Sequence, residues 1–253
     1  MDLEALALSV GMATAAGLVG CFAVMRKMTL ASDAISHVAL PGIAIALLSG
    51  VHPMLGGLAT LLLGTLLIWA VESRTRMATE TVIGVVFSAA LAVGAMLTRS
   101  EDLIEALLGN VGGPTAWELV LGLAGASGVV LFILGARHRL VIALVSPDLA
   151  RAAGIHVARL SLLYLLAFSL TVALGLRYLG VLLMGSLIII PSATAKHVAR
   201  SLGSMLAMAV AVAVVSILAG TSLARWLHRE TGPLIIAAAA GIFFMGLLIR
   251  RRP

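Results

Sequence analysis

An all-α, polytopic transmembrane helical bundle of about nine spans is the fold this sequence predicts. Three observations predict it. Of 253 residues, 61% are hydrophobic and only 11% are charged, with a mean hydropathy of +1.15. A soluble domain carries ~25% charged residues; this much apolar surface exceeds what one soluble core can hide, so lipid must solvate it. The apolar residues also fall into runs close to the ~20 needed to cross a hydrocarbon core as helix. Finally, the 17 Lys and Arg stand in short bursts between those runs.

The nine runs cover residues 4–25, 30–49, 54–71, 81–98, 117–136, 160–178, 181–196, 203–224 and 233–249. The second contains Asp33 and His37, and the seventh is short and contains Pro191. Eight spans with a re-entrant piece is the nearest alternative. Alternating the connections leaves only Arg99, Arg177, Arg225 and Arg229 on one side and gathers the other 13 basic residues opposite. The positive-inside rule then predicts an outside N-terminus and a cytoplasmic C-terminus.

Nothing is left over for a soluble domain, so one transmembrane domain over residues 1–253 is expected. No Gly-x-x-x-x-Gly-Lys-Ser/Thr phosphate loop occurs, so the chain is not expected to hydrolyse ATP or to be an enzyme. The single cysteine, Cys21, has no disulfide partner. A net charge of +6 could suggest nucleic acid, but the basic residues do not gather on one amphipathic face, and no nucleic-acid partner is expected. The outside connection "TRSEDLIEALLGNVGGPT", 98–115, is too short and acidic to cross and reads as a surface or re-entrant helix.

The longest inside connection spans 136–159, and within it "SPDLARAAG" is punctuated as a short helix. Ser146 suits the N-cap, and Pro147 the first turn, where its missing N–H costs nothing. Asp148 complements the positive end of the macrodipole, and Gly154 suits a left-handed stop. A helix this short is marginal in water and must pack on something: either the chain's own membrane face or a cytoplasmic partner.

Asp33 and His37 are ionisable groups within the second run, one and two turns from its start near Thr29. A spacing of four puts them on one helical face, with Ser36 close to it. Asp33 also fits a helix cap and His37 a packing histidine. Charge inside a span costs a few kcal/mol, however, and marks a transport path by default. A carboxylate with an imidazole suits Mn²⁺, Fe²⁺ or Zn²⁺. Two ligands do not close a site, so a second copy of the chain or other helices must supply more. A metal site, structural roles and a proton relay all stay open on these residues alone. Pro191 frees a backbone carbonyl in its span, as breaks beside substrate paths do, and Ser192 and Thr194 could re-satisfy it. The eleven methionines are dispersed and read as packing.

Four stretches together resemble one family. "RKMTLASDAISHVALPGIAIALLSG" (26–50), "ETVIGVVFSAALAVGAML" (80–97), "LLGNVGG" (107–113) and "RYLGVLLMGSLIIIPSATA" (177–195) are similar to the permease subunits of bacterial metal-ion ABC importers, which carry zinc, manganese or iron. They follow the family order over nearly the whole chain. The resemblance implies a multi-pass permease of the bacterial cell membrane. Two permease copies would form the path, two cytoplasmic ABC ATPases would drive it, and an extracellular or periplasmic binding protein would deliver the metal. No permanently bound cofactor is implied; the metal is cargo. Asp33 and His37 match the family's metal-path positions. Ser146, Pro147, Asp148, Ala150, Ala153 and Gly154 become the element that couples to the ATPase, and Ser36 and Pro191 become candidate path-lining residues.

Two competing readings fit these residues less well, and nothing in the sequence speaks for a third, a non-transporting membrane scaffold. Permeases for iron chelates or cobalamin run longer and need a wide path without midspan metal ligands. A proton-coupled secondary metal transporter would need internal repeats and several buried carboxylates, whereas Glu72, Glu80 and Glu118 fall at span ends.

Overall fold

The computed structural model describes residues 3–28, 31–75, 77–97, 116–179 and 181–248. The outside segment expected over 98–115, with its Gly-Asn motif, lies outside the described residues. Among those described the fold is all helix. The helices are α1 (Leu3–Met25), α2 (Ala31–Val38), α3 (Leu40–Leu48), α4 (Pro53–Arg74), α5 (Thr79–Leu97), α6 (Ala116–Val145), α7 (Pro147–Ala152), α8 (Val157–Leu179), α9 (Val181–Val198), α10 (Leu202–Leu227) and α11 (Thr231–Leu248).

Eight of the apolar segments are long enough to cross a membrane by length and composition: α1, α2 with α3, α4, α5, α6, α8, α10 and α11. The ninth expected span is α9, whose apolar part, Leu183–Val198, is shorter. Its neighbours fix its course. Ser192 Oγ donates to Gly17 O at 3.2 Å and Lys196 Nζ to Val24 O at 3.5 Å, so α9 runs parallel to α1 and ends level with it. Tyr164 Oη donates to Val19 O at 3.1 Å, and Arg26 Nη1 to Ser161 Oγ at 3.3 Å, so α8 runs antiparallel to α1. The chain therefore returns through the bundle along α9, parallel to α1.

α1 and α9 are central. They meet where a side chain on Gly20 would overlap the carbonyl of Ile188, so the two backbones touch. Phe22, Tyr164 and Phe168 stack beside them as a buried aromatic cluster. Cys21 is free and buried. α5 and α11 bury few of their residues and present apolar side chains to lipid.

One expectation needs correction. The fifth span does not stop at 136: α6 runs 30 residues to Val145. Arg137 to Arg139 lower the hydropathy there without breaking the helix, and no Pro intervenes before Pro147. At ~1.5 Å per residue α6 is ~45 Å long, ~15 Å more than the hydrocarbon core, so its last turns stand clear of the membrane. The second span holds as one apolar segment, Ala31–Leu48, but its hydrogen-bond ladder is broken. Pro41 has no N–H to return to the carbonyl of His37, and the helix is interrupted at Ala39 (φ −70°, ψ −26°). Beyond the break α3 is pressed onto α4, where side chains on Gly42 or Gly56 would overlap each other's carbonyl.

Candidate functional site

α1 ends at Lys27, which takes a left-handed φ of 61°, and Met28 N–H reaches back to Ala23 O at 2.8 Å. This close turns the chain back into the bundle, with Met28 buried. The segment α2 consequently starts deep. Gly185 of α9 faces Ser32, Gly64 near the middle of α4 faces Val38, and Phe87 near the middle of α5 packs on His37. Asp33 and His37 thus lie near half-depth, not close to one end as their place in the chain suggests.

The two side chains share one face of α2. His37 Nε2 stands 4.0 Å from Asp33 Oδ1, with the imidazole 22% exposed and the carboxylate 61% exposed. Two metal bonds of ~2.1 Å at a tetrahedral angle put donors ~3.4 Å apart, so a small closure of these side chains would seat one ion. The other imidazole nitrogen, Nδ1, is buried and meets no hydrogen-bond partner among the described residues. The ring of Phe87 lies 5.6 Å from the imidazole centroid to centroid, tilted by 54°.

Ser36 is buried and donates to the backbone O of Asp33 at 2.6 Å, which turns its hydroxyl onto its own helix. Pro191 is buried within α9. Its neighbours bond elsewhere than to the carbonyl it frees: Ser192 to Gly17 O, and Thr194 Oγ1 to Ile190 O at 2.8 Å. Among the described residues no group of three or more His, Cys, Asp or Glu gathers to hold a metal. One chain thus offers two donors, and the more exposed of them is a carboxylate within a span. Such a group is costly against lipid, so this face needs water or another chain.

At the end of the bundle where α1, α4 and α6 finish, α7 has the geometry its sequence specifies. Ser146 caps it by accepting from Leu149 N–H at 3.2 Å, Pro147 opens it, and Arg151 Nη1 pairs with Asp148 Oδ1 at 2.6 Å. Gly154 closes it at φ 77°, and Ile155 N–H bonds Ala150 O at 2.9 Å. Ala150 is fully buried and Ala153 exposed, so α7 grips the chain by one small face only. Its outer face carries Leu149, 61% exposed, and follows Val145, 77% exposed.

A cleft of about 840 Å³ opens beside α7, lined among others by Arg26, Trp69, Glu72, Arg151 and Arg159. Glu72 accepts from Thr79 Oγ1 at 2.8 Å and from Ser161 Oγ at 3.3 Å. Ser161 in turn accepts from Arg26, whose guanidinium lies 4.6 Å over the ring of Tyr164. The network ties α1, α4, α5 and α8 together beneath α7. Sequence reading missed it, as it missed Leu149 and Phe87; the only signal was a charged or apolar residue at a span end or mid-span.

A polytopic bundle with an ionisable pair inside it and a capped helix projecting at one end has the build of a membrane transport subunit. The chain belongs to the ABC 3 transport family, which matches residues 2–250. It is 30% identical over 239 residues to the high-affinity zinc uptake system membrane protein ZnuB of Haemophilus influenzae, covering 92% of this chain and 91% of that one. It is 32% identical to the manganese transport system membrane protein MntC of Halalkalibacterium halodurans, covering 90% and 80%. The solved structure of PsaBC from Streptococcus pneumoniae in complex with Fab aligns with a TM-score of 0.81 at 27% identity, covering 98% of this chain and 91% of that one. An inward-facing metal-chelate type ABC transporter aligns with a TM-score of 0.71 at 18% identity over 97% and 85%, a likeness of fold alone. The chain is a multi-pass cell-membrane subunit of ABC type.

Proposed function

We propose that this chain is the permease of an ATP-driven importer of divalent transition-metal ions, with Asp33 and His37 as transient ligands on the path. The observation that carries the reading is a carboxylate and an imidazole on one helical face at half-depth, 4.0 Å apart. The donor set of one oxygen and one nitrogen accepts Mn²⁺, Fe²⁺ and Zn²⁺ alike. Relatives named for zinc uptake, manganese transport and iron transport support cargo of this class.

Coordination of this kind replaces only part of an ion's water shell, and a site that must release its ion gains from remaining incomplete. The exposed Asp33 supports a second permease copy facing it across the path, each chain bringing the same two donors. By the positive-inside rule, the end bearing Arg26, the Glu72 network and α7 faces the cytoplasm. There α7, carried clear of the lipid by the long α6, seats in the ATPase, and a separate binding protein hands metal over at the opposite end.

The test is uptake by permease reconstituted with its ATPase and binding protein, with Mn²⁺, Zn²⁺ and Fe²⁺ in competition. ATP-dependent accumulation that the three ions contest is the expected result; accumulation of none of them removes the reading. The α7 assignment has its own check. Leu149→Glu places a charge on the outward apolar face and is expected to lower co-purification of the ATPase at least ~10-fold, about 1.4 kcal/mol. Full recovery of the complex would place the ATPase elsewhere.

A further inference from the structure

We infer that Phe87 keeps His37 a weak ligand by denying the imidazole's second nitrogen a hydrogen-bond partner. The inference rests on the metal reading of Asp33 and His37. A neutral imidazole carries its hydrogen on one nitrogen only. An ion held between Asp33 and the nitrogen facing it, Nε2, needs the lone pair there, so the ring hydrogen must sit on Nδ1. No proton is gained or lost; it changes nitrogen. Among the described residues no acceptor meets the buried Nδ1, and the ring of Phe87 packs on the imidazole, 5.6 Å away centroid to centroid.

Sites that hold metal permanently do the reverse. Their histidines donate the second N–H to a carboxylate, a carbonyl or water, and removing that partner costs ~10–100-fold in affinity. A buried donor without an acceptor is itself unfavourable, and an aromatic face replaces a true acceptor only weakly. Each ion that binds Nε2 therefore stabilises the ring in its poorly satisfied form, and the ion leaves easily. Phe87, in the middle of α5, is a positioning residue: it acts on the ion through His37 and does not touch it.

The experiment compares wild type, Phe87→Gln, Phe87→Leu and His37→Ala, each assembled with the ATPase in nanodiscs. Mn²⁺ and Zn²⁺ binding is read by calorimetry and uptake by transport. Gln brings an amide oxygen to Nδ1–H, and about 10-fold tighter binding with slower uptake is expected. Leu, apolar like Phe, is expected to leave affinity within about 2-fold of wild type. Should Phe87→Gln not assemble, Phe87→Asn carries the same acceptor on a shorter stem and is read identically. Unchanged or weaker binding by the amide variant, with uptake lost in His37→Ala, overturns the role of Phe87 and leaves the metal reading standing. Wild-type binding and uptake by His37→Ala overturn both.

Discussion

Replacing Asp33 or His37 by Ala is expected to lower metal uptake by the reconstituted complex at least ~100-fold, about 2.8 kcal/mol, and to leave ATPase association unchanged. A lost donor would leave the ion one coordination bond short on its way through, which raises the barrier at half-depth. Asp33→Asn separates charge from shape: the amide has nearly the same volume but no negative charge for the cation, and the same loss is expected. Co-purification with the ATPase provides the control, because α7 lies on the other side of the Glu72 network from α2. Uptake at wild-type rates by both Ala variants would remove these residues from the path.

The largest effect on stability is expected at Gly20. A methyl group there would overlap the carbonyl of Ile188 and the hydroxyl of Ser192. A backbone carbonyl cannot swing aside as the end of a long side chain can, so α1 and α9 must separate. Gly20→Ala is expected to cost at least ~2 kcal/mol, the range of overpacked cores. In a chain of this size that lowers the melting temperature by ~4–8 °C. Gly128→Ala is the matched control. Beyond its own turn of helix, no atom of the described residues lies within 4 Å of the methyl it would add, and Ala favours helix over Gly by ~1 kcal/mol, so its melting temperature should stay level or rise. A Gly20→Ala protein that melts like wild type would mean that the two helices are not in backbone contact.

The extent to which the sequence specified this molecule depended on the range of the interactions involved. Helix α7 was legible almost atom by atom, since Ser146, Pro147 and Gly154 act on their own backbone within a few residues. The apolar runs were legible too, because lipid imposes the same demand on every span. The depth of Asp33 and His37 was not. It depends on Gly185, Gly64 and Phe87, which belong to three other helices, and periodicity along α2 carries no trace of them. The network at Glu72 was hidden for the same reason, with Ser161 89 positions away. The reach of α6 past residue 136 was misread because hydropathy fell at Arg137 to Arg139 while helix propensity did not. The break before Pro41 was readable in principle: a proline at that spacing always removes the bond to the carbonyl four residues earlier.

The contact of Gly42 with Gly56 has a practical consequence for following transport. With no side chain between them, α3 and α4 form one closely packed hairpin, and α2 joins it through Ala39. A spectroscopic ruler placed between α3 and α4 has a fixed zero. The same ruler moved to α2 measures any displacement of the segment that carries Asp33 and His37 against that zero, free of any tilt of the whole bundle.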